Sequence, residues 1–279
     1  MKYQECYMEG REKLKQAGIA EADLDARLLL EYICGTGRND LLVHGDIEVE
    51  EEKLTAYRAV IAKRSDRIPL QHITGEQDFM GLVFQVNEHV LIPRQDTEIL
   101  VEEVMREMLD NSRILDMCTG SGCILISLLH YSNWCEGVGV DISTEALKVA
   151  ASNGEWLLPE SKRPLWLESN LFEAVEGKFD IVVSNPPYIR TDVIDTLMPE
   201  VRVHEPLQAL DGTEDGLFFY RRIVEEAPKY LTKEGRLYFE IGHDQAKEVS
   251  ELMEKAGFSD IRVVKDYAGL DRVVCGILR

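Results

Sequence analysis

The sequence contains 279 residues, of which 51 are acidic and 31 are basic, so its formal net charge at pH 7 is −20. A chain of this length is expected to form one large domain or two modest ones, and its hydrophobic content of 45% is that of an ordinary globular protein. These figures disfavour an intrinsically disordered chain and a small disulfide scaffold. They also argue against tight non-specific binding of nucleic acid, because contacts to phosphates need a basic surface.

The six cysteines show no Cys-x-x-Cys pair, so the sequence does not predict a zinc ribbon, and we predict no metal site. We expect these cysteines to be buried, reduced thiols. The first residues lack the apolar stretch of a signal peptide, and no segment approaches the roughly 18 apolar residues of a transmembrane helix. The sequence therefore predicts a soluble cytoplasmic protein without a membrane partner.

Residues 1–66 are predicted to form a small helical domain. Apolar residues recur at helical spacing from Ala22 to Ile33 and stop before Gly35, and a second periodic run extends from Leu54 to Ile61. Residues 67–92 instead contain aromatic and branched residues that are interrupted by glycines. This pattern predicts a β-hairpin that links two units.

Predicted strands and helices alternate through residues 93–279, which we take as the second domain. The predicted strands are Arg113–Met117, Gly137–Val140, Phe179–Ser184, Arg236–Ile241, Ile261–Val264 and Arg272–Leu278. Alternation of this kind predicts an α/β fold with a parallel, doubly wound sheet. The three tryptophans, Trp134, Trp156 and Trp166, are expected to be packing residues.

The first of these strands leads into the turn Cys118-Thr119-Gly120-Ser121-Gly122, whose small residues allow a ligand to approach the backbone closely. Asp141 ends the next strand, 21 positions after Gly120. A carboxylate at that distance can reach the two hydroxyls of a ribose. The order of strand, glycine turn, helix, strand and acid is typical of sites for nucleoside cofactors.

Three classes of nucleoside site compete for this turn. A P-loop is excluded because no lysine follows the glycines, and a dinucleotide site would need Gly-x-Gly-x-x-Gly where the sequence has Cys-Thr-Gly-Ser-Gly-Cys. The remaining class binds S-adenosylmethionine, which has no phosphate and needs fewer glycines. A tight turn without any ligand is the structural alternative.

The most informative segment is Asn185-Pro186-Pro187-Tyr188, which directly follows an apolar strand. The prolines fix φ and remove two backbone donors, so carbonyls are left free, and Asn185 adds a side-chain acceptor. Tyr188 can pack against a planar substrate group. Two acceptors on an NH₂ group hold its nitrogen for methyl transfer by positioning and electrostatics, without a strong base. A proline turn that only ends a central strand is the alternative.

Together with several other segments, these residues resemble the HemK/PrmC family, the protein-(glutamine-N5) methyltransferases that modify class-1 peptide-chain release factors. The resemblance covers nearly the whole chain. The segments that carry it are Phe79–Phe84, Val90–Glu98, Cys118–Gly122, Val140-Asp141, Asn185–Tyr188, Glu205-Pro206, Ala209-Leu210, Asp215–Leu217 and Ala268–Arg272. Asn-Pro-Pro-Tyr alone also fits adenine-N6 methyltransferases of DNA or RNA, but the combination is much more specific.

The resemblance implies a Rossmann-like class I methyltransferase domain preceded by a small helical domain and a β-hairpin linker. It implies that Cys118–Gly122, Asp141 and Leu171 contact S-adenosylmethionine. It also implies that Asn185 lies between cofactor and substrate, and that Asn185–Tyr188 hold the glutamine of a Gly-Gly-Gln loop. The sequence departs from the family at Cys118, where a glycine is usual, at Gln95, where a proline is usual, and at Asn170-Leu171, where Asp-Trp is frequent.

Three further residues each leave two alternatives open. Arg94 and Thr97 either line the pocket or cap the helix that follows them. Glu205 is explained more simply by a surface ion pair than by a substrate contact.

The sequence therefore predicts methyl transfer from S-adenosylmethionine to the side-chain amide of a glutamine in class-1 release factors, with S-adenosylhomocysteine as product. The helical domain is expected to bind the protein substrate, and the chain to be a monomer that does not bind nucleic acid directly. One rival is an adenine-N6 methyltransferase, but it would need a basic channel, which the charge of −20 opposes. A second rival is a non-catalytic binding module that keeps the fold but binds no cofactor.

Overall fold

The computed structural model describes residues 1–279, which divide into two compact units. The first, which we call the helical unit, consists of Met1–Gly75 and Met198–His204. The second, which we call the sheet unit, consists of Glu76–Leu197 and Glu205–Arg279. The predicted helical domain ends at residue 66, whereas the helical unit runs to Gly75 and includes a segment from the second half of the chain.

Helices and strands follow one another along the chain with these bounds. The helices are α1 (Tyr3–Gln16), α2 (Ala22–Cys34), α3 (Arg38–Val43), α4 (Glu51–Ser65), α5 (Leu70–Thr74), α6 (Gln95–Glu107), α7 (Cys123–Tyr131), α8 (Thr144–Leu157), α9 (Thr191–Ile194), α10 (Pro199–His204), α11 (Phe218–Glu226) and α12 (Ala246–Lys255). The strands are β1 (Glu76–Phe79), β2 (Leu82–Gln85), β3 (Arg113–Met117), β4 (Glu136–Asp141), β5 (Leu165–Glu168), β6 (Phe179–Ser184), β7 (Leu231–Glu240), β8 (Phe258–Lys265) and β9 (Asp271–Leu278). None of the helices combines the length and the apolar character needed to cross a membrane.

In the helical unit, α1, α2 and α4 pack together through one apolar face each. Leu14, Leu29 and Tyr57 are buried in the core that they share. Helices α1 and α4 approach closely at Gly10, because a Cβ there would overlap the Tyr57 hydroxyl. Helix α2 ends at Gly35, whose φ of 67° is a left-handed conformation that glycine adopts without strain.

A buried ion network joins the segment Met198–His204 to the rest of the helical unit. The Arg64 guanidinium donates to Asp25 at 2.7 Å and to Glu200 at 3.0 Å. Arg67 donates to the same Glu200 oxygen at 3.2 Å. Burial raises the pKa of Asp25 in spite of the hydrogen bond from Arg64. One arginine thus compensates two carboxylates that are largely removed from water.

The sheet unit is built around a seven-stranded sheet in the order β5-β4-β3-β6-β7-β9-β8. The pairs from β5 to β7 are parallel, whereas β9 is antiparallel to both β7 and β8. Val182 of β6 belongs to one buried cluster, and its neighbours Ile181 and Val183 belong to another, so apolar cores cover both faces of the sheet. The predicted Rossmann-like α/β fold with a helical region before it is confirmed.

Individual elements differ in how well the sequence predicted them. The bounds of β3 and β6 agree with the prediction to the residue. Strand β5 was not predicted, because its four residues are exposed or half-buried at the sheet edge and form no clear apolar pattern. The predicted hairpin linker contains the short helix α5 as well as the antiparallel pair β1–β2.

The tryptophans also divide into two kinds. Trp134 and Trp156 are 80% and 72% exposed, so the expected packing role is wrong for both. Trp166 does pack, because its ring occupies the space that the missing side chains of Gly122 and Gly139 leave.

We expect Arg64→Ala to lower the free energy of unfolding by about 3 kcal/mol, because it leaves the buried carboxylate of Asp25 without its cation and the half-buried Glu200 with Arg67 alone. The matched control is Arg58→Ala, which breaks a more exposed ion pair with Glu9 and should cost much less stability than Arg64→Ala. Urea denaturation of the full chain measures both losses. Equal losses would contradict the importance of the buried network.

Candidate active site

The carboxyl ends of three neighbouring strands bring the predicted site residues together. Met117, the last residue of β3, is in register with the ends of β4 and β6. The turn 118–122 follows β3, Asp141 ends β4 and Asn185 follows β6. All three therefore lie at the edge where open parallel sheets bind their ligands.

A cavity of about 670 Å³ lies at this edge of the sheet. Its volume is in the range of small-molecule and cofactor sites. The predicted site residues that line it are Cys118, Thr119, Gly120, Ser121, Asp141, Leu171, Asn185 and Pro187. Gly122, Pro186 and Tyr188 are not among its lining residues.

The Asp141 carboxylate organises the turn 118–122 from the neighbouring strand. Its Oδ2 atom accepts the backbone N–H of Gly120 at 2.9 Å, and its Oδ1 atom accepts that of Ser143 at 2.9 Å. Burial raises the pKa of Asp141, and these backbone donors act in the opposite direction. Because each oxygen keeps further acceptor capacity, the carboxylate suits a ligand that offers hydroxyl groups.

A second buried carboxylate holds the same turn from within the sheet. The Thr119 hydroxyl donates to Asp116 Oδ2 at 2.5 Å, and desolvation raises the pKa of Asp116 to about 7. Gly122 makes room for its neighbours, since a Cβ there would lie 2.8 Å from the Trp166 ring. The predicted contact between Gly122 and the cofactor stays a prediction.

Two non-glycine residues of the cavity wall have left-handed backbone conformations, with φ of 61° at Cys118 and 56° at Leu171. Such a conformation costs about 1–2 kcal/mol in most side chains, so the surroundings must hold it. The Ser169 hydroxyl donates to the Leu171 carbonyl at 2.8 Å. Burial raises the pKa of the Cys118 thiol, which is therefore a neutral part of the wall. The cysteine thus keeps the backbone conformation expected of a glycine.

Some residues of the Asn185–Tyr188 segment line the cavity, and the others contact residues behind the cavity wall. The Asn185 amide donates through Nδ2 to the Thr97 hydroxyl at 3.4 Å. Pro187 lines the cavity and Pro186 is buried. The Tyr188 hydroxyl donates to Glu240 Oε1 at 3.2 Å. Glu240 was not predicted as a site residue, because nothing in the sequence distinguishes it from other acidic residues.

The backbone of Tyr188 is clamped by residues that the motif does not reveal. The Gln245 amide donates to the Tyr188 carbonyl at 3.1 Å and to the Gly216 carbonyl at 3.2 Å. Gly212 and Gly216 pass so close to Tyr188 that a Cβ on either would overlap its backbone. The segment Asp215–Leu217 was identified only through the family resemblance, and no sequence pattern indicated Gln245.

The structure distinguishes between the alternatives for Arg94, Thr97 and Glu205. Arg94 and Thr97 both line the cavity, and Arg94 occupies the N-cap position of α6 without making a side-chain cap hydrogen bond. Arg94 forms an ion pair with Glu205, whose side chain is 1% exposed, so the expected surface ion pair is in fact buried on the glutamate side. Burial raises the pKa of Glu205 against the influence of Arg94. The pair anchors the start of residues 206–209, which also line the cavity.

No group of three or more His, Cys, Asp or Glu side chains is arranged to hold a metal ion. The cavity instead combines a small-residue turn, a carboxylate with free acceptor capacity and an Asn-Pro-Pro segment on a Rossmann-like sheet. These features define the class of protein, an α/β methyltransferase.

Comparison with known proteins supports this class. Residues 94–211 match the family model of the methyltransferase small domain, and residues 5–75 match that of the PrmC N-terminal domain. The crystal structure of a methyltransferase from Pyrococcus furiosus shares the fold with a TM-score of 0.55 at 17% identity. The match covers 77% of this chain and 98% of that one.

Curated relatives narrow the class to one family. The release factor glutamine methyltransferase of Clostridium acetobutylicum is 41% identical over 281 residues, which cover 99% of each chain. That of Agrobacterium fabrum is 40% identical over 270 residues, which cover 95% of this chain and 93% of the relative. The chain belongs to the family of release factor glutamine methyltransferases, and the predicted resemblance is confirmed.

Gly216→Ala is expected to destabilise the protein by about 2 kcal/mol more than Gly257→Ala, because only the new Cβ at Gly216 meets the Tyr188 backbone. Both glycines have a positive φ, 72° and 91°, so both substitutions carry the same kind of backbone strain. Urea denaturation gives the difference. Turnover should fall only in Gly216→Ala, and equal behaviour of the two variants would contradict the clamp on Tyr188.

Proposed function

We propose that this chain transfers a methyl group from S-adenosylmethionine to the side-chain amide nitrogen (N5) of the glutamine in the Gly-Gly-Gln loop of class-1 peptide-chain release factors. The observation that carries the proposal is a single cavity lined both by the Cys118–Ser121 turn with Asp141 and by Asn185 with Pro187. Relatives that bear the name of this activity are 40–42% identical to the chain.

The cavity fits S-adenosylmethionine by its donors and acceptors. Asp141 offers carboxylate oxygens for ribose hydroxyls, and the neighbouring turn allows close approach of the ligand. The basic side chains that line the cavity are His89 and Arg94, and Arg94 is paired with Glu205, so the lining is not that of a phosphate site. When bound, the cofactor supplies a methyl group that its positively charged sulfur already activates. We assign cofactor binding to Cys118, Thr119, Gly120, Ser121, Gly122, Asp141, Leu171 and Asn185.

We assign the binding of the substrate amide to Asn185, Pro186, Pro187 and Tyr188. The Asn185 side-chain oxygen and the carbonyls left free by the prolines accept the two hydrogens of the glutamine NH₂ group. This holds the nitrogen in one orientation and contributes to catalysis by positioning. The amide nitrogen loses its proton to water after methylation, because a protonated amide is a strong acid and needs no strong base.

The body of the release factor is proposed to bind the helical unit, since a folded protein needs contact area beyond a catalytic pocket. The net charge of −20 favours a partner with a basic surface over a nucleic acid. All six cysteines are free thiols, as is usual in the reducing cytoplasm. We therefore propose a cytoplasmic monomer with neither nucleic acid nor membrane as a partner.

Incubation with S-adenosylmethionine followed by mass spectrometry tests this function. One added methyl group is expected on the Gly-Gly-Gln glutamine of an intact release factor, and none on single-stranded or duplex DNA that contains adenine. A release factor with that glutamine replaced by alanine is the matched control. Methylation of DNA alone would overturn the proposal in favour of an adenine-N6 methyltransferase. The absence of S-adenosylmethionine binding in calorimetry would favour a non-catalytic module.

Asn185→Ala should lower kcat by on the order of a hundredfold, because the substrate nitrogen loses the acceptor that orients it. The variant should keep its fold, since Asn185 is half-buried and makes a single long hydrogen bond, to Thr97. The control is Asn133→Ala at an exposed position outside the cavity. Steady-state methylation and thermal denaturation are the measurements, and wild-type turnover in Asn185→Ala would remove that residue from the mechanism.

A further inference from the structure

A fully buried amide behind the cavity wall contacts two separate parts of the chain. Asn153 lies in α8 and belongs to neither the cavity lining nor the predicted site. Its Oδ1 atom accepts the backbone N–H of Gln85 at 2.7 Å. Its Nδ2 atom donates to the Gln85 carbonyl at 3.0 Å and to the Ser121 carbonyl at 3.0 Å. One side chain thus joins the end of β2 to the turn 118–122.

The partners of Asn153 determine how its amide is oriented. Both hydrogens of Nδ2 go to carbonyl oxygens, and Oδ1 receives an N–H group. A reversed amide would place its oxygen against the two carbonyls and its NH₂ group against the Gln85 N–H. Because the amide is buried, the backbone groups that it leaves would be unpaired away from water, which is costly. Asn153 therefore holds Gln85 and Ser121 in a single arrangement.

The hydrogen bond to Ser121 completes the anchoring of one peptide group in the turn 118–122. The carbonyl of the peptide between Ser121 and Gly122 accepts from Asn153, and its N–H donates to the Thr119 carbonyl at 2.9 Å. Gly122 is the N-cap residue of α7 and has a φ of 79°. Ser121 itself lines the cavity. The conformation of the cavity wall at this point therefore depends on a contact to α8.

The hydrogen bonds to Gln85 hold the start of a second part of the cavity wall, which we call the segment 86–94. Gln85 is the last residue of β2, and several residues of the segment 86–94 line the cavity. Two residues of this segment form a buried apolar cluster with two residues of α8, and the four are Val86, Val90, Ala146 and Val149. Helix α8 thus holds this segment by apolar packing and through Asn153.

We propose that Asn153 is a positioning residue for the cofactor, which fixes the turn 118–122 and the segment 86–94 relative to each other. The inference rests on the proposed function, because the ligand between these parts of the wall is S-adenosylmethionine. A wall that is already ordered binds its ligand more tightly, since no binding free energy is used to order it. None of the hydrogen bonds of Asn153 reaches the Asn185–Tyr188 segment. Loss of Asn153 should therefore weaken cofactor binding and leave the transfer step unchanged.

Asn153→Ala removes all three hydrogen bonds at once. We expect the dissociation constant for S-adenosylmethionine, measured by calorimetry, to rise by on the order of tenfold, because the turn must be ordered by the ligand. At saturating cofactor, kcat should stay at the wild-type level. The matched control is Ser152→Ala on the same helix, whose exposed hydroxyl donates to the Gln85 side chain at 2.9 Å. This control should bind the cofactor like the wild type.

A second control separates positioning from a general loss of stability. Tyr238 is buried, does not line the cavity and donates its hydroxyl to Glu107 at 2.9 Å. Tyr238→Phe therefore removes a buried hydrogen bond of the same unit without changing the cavity wall. We expect thermal denaturation to show a lower Tm in both Tyr238→Phe and Asn153→Ala, and calorimetry to show weaker cofactor binding only in Asn153→Ala. Wild-type affinity in folded Asn153→Ala would overturn the positioning role.

Hydrogen exchange in the wild-type chain tests the same coupling without a substitution. The Gln85 N–H donates to Asn153, although Gln85 does not line the cavity. Because Asn153 also holds Ser121, addition of S-adenosylmethionine should slow the exchange of the Gln85 amide, as measured by NMR. The amide of Val264, on the edge strand β8, serves as the control and should slow less. Equal effects on the two amides would contradict the inference, even if Asn153→Ala does not fold.

These outcomes are distinguishable from failure of the proposed function. If the wild-type chain binds no S-adenosylmethionine, the proposed function falls first and the inference falls with it. If the wild type binds the cofactor and folded Asn153→Ala binds it equally well, only the positioning role is rejected.

Discussion

Three carboxylates at the carboxyl edge of one sheet, Asp116, Asp141 and Glu240, are largely removed from water, and the cavity depends on how their charge is satisfied. Desolvation raises the pKa of each of them. Their donors are parts of the cavity wall or of the loop beside it: Thr119 for Asp116, backbone N–H groups for Asp141 and Tyr188 for Glu240. Because an unpaired buried carboxylate is costly, these donors are held in place, and the loops that carry them are ordered with them.

Strand order explains why acidic residues from distant parts of the chain lie near one cavity. Strand β6 lies between β3 and β7, so the residue that follows it, Asn185, stands between the turn 118–122 on one side and Glu240 on the other. The same strands are covered by apolar cores on both faces, which fixes their register. A site at the ends of such strands is held rigid by the sheet. Catalysis by positioning requires a rigid site.

The sequence predicted the elements and site residues that carry a local signal. Apolar runs in the sequence identify β3 and β6. The turn 118–122 directly follows β3, and Asn185 directly follows β6. Because these two strands pair in parallel, both segments lie at the same edge of the sheet. Thr97 and Glu240 carry no such signal, because Thr97 meets Asn185 and Glu240 meets Tyr188 only after folding. Burial is equally invisible in the sequence, which is why Glu205 was expected in a surface ion pair. Strand β5 has too little apolar pattern to be recognised.

Chain connectivity links the helical unit to the site in a way that the domain order in the sequence does not suggest. After Leu197 the chain passes from the sheet unit into the helical unit, where Glu200 of α10 takes part in the buried ion network. It returns to the sheet unit at Glu205. The segment before this excursion begins with Asn185–Tyr188, and the segment after it lines the cavity from Pro206 onward. Both ends of the excursion are therefore continuous with the wall of the proposed active site. The helical unit is thus joined by two covalent paths to the loops that line the cavity.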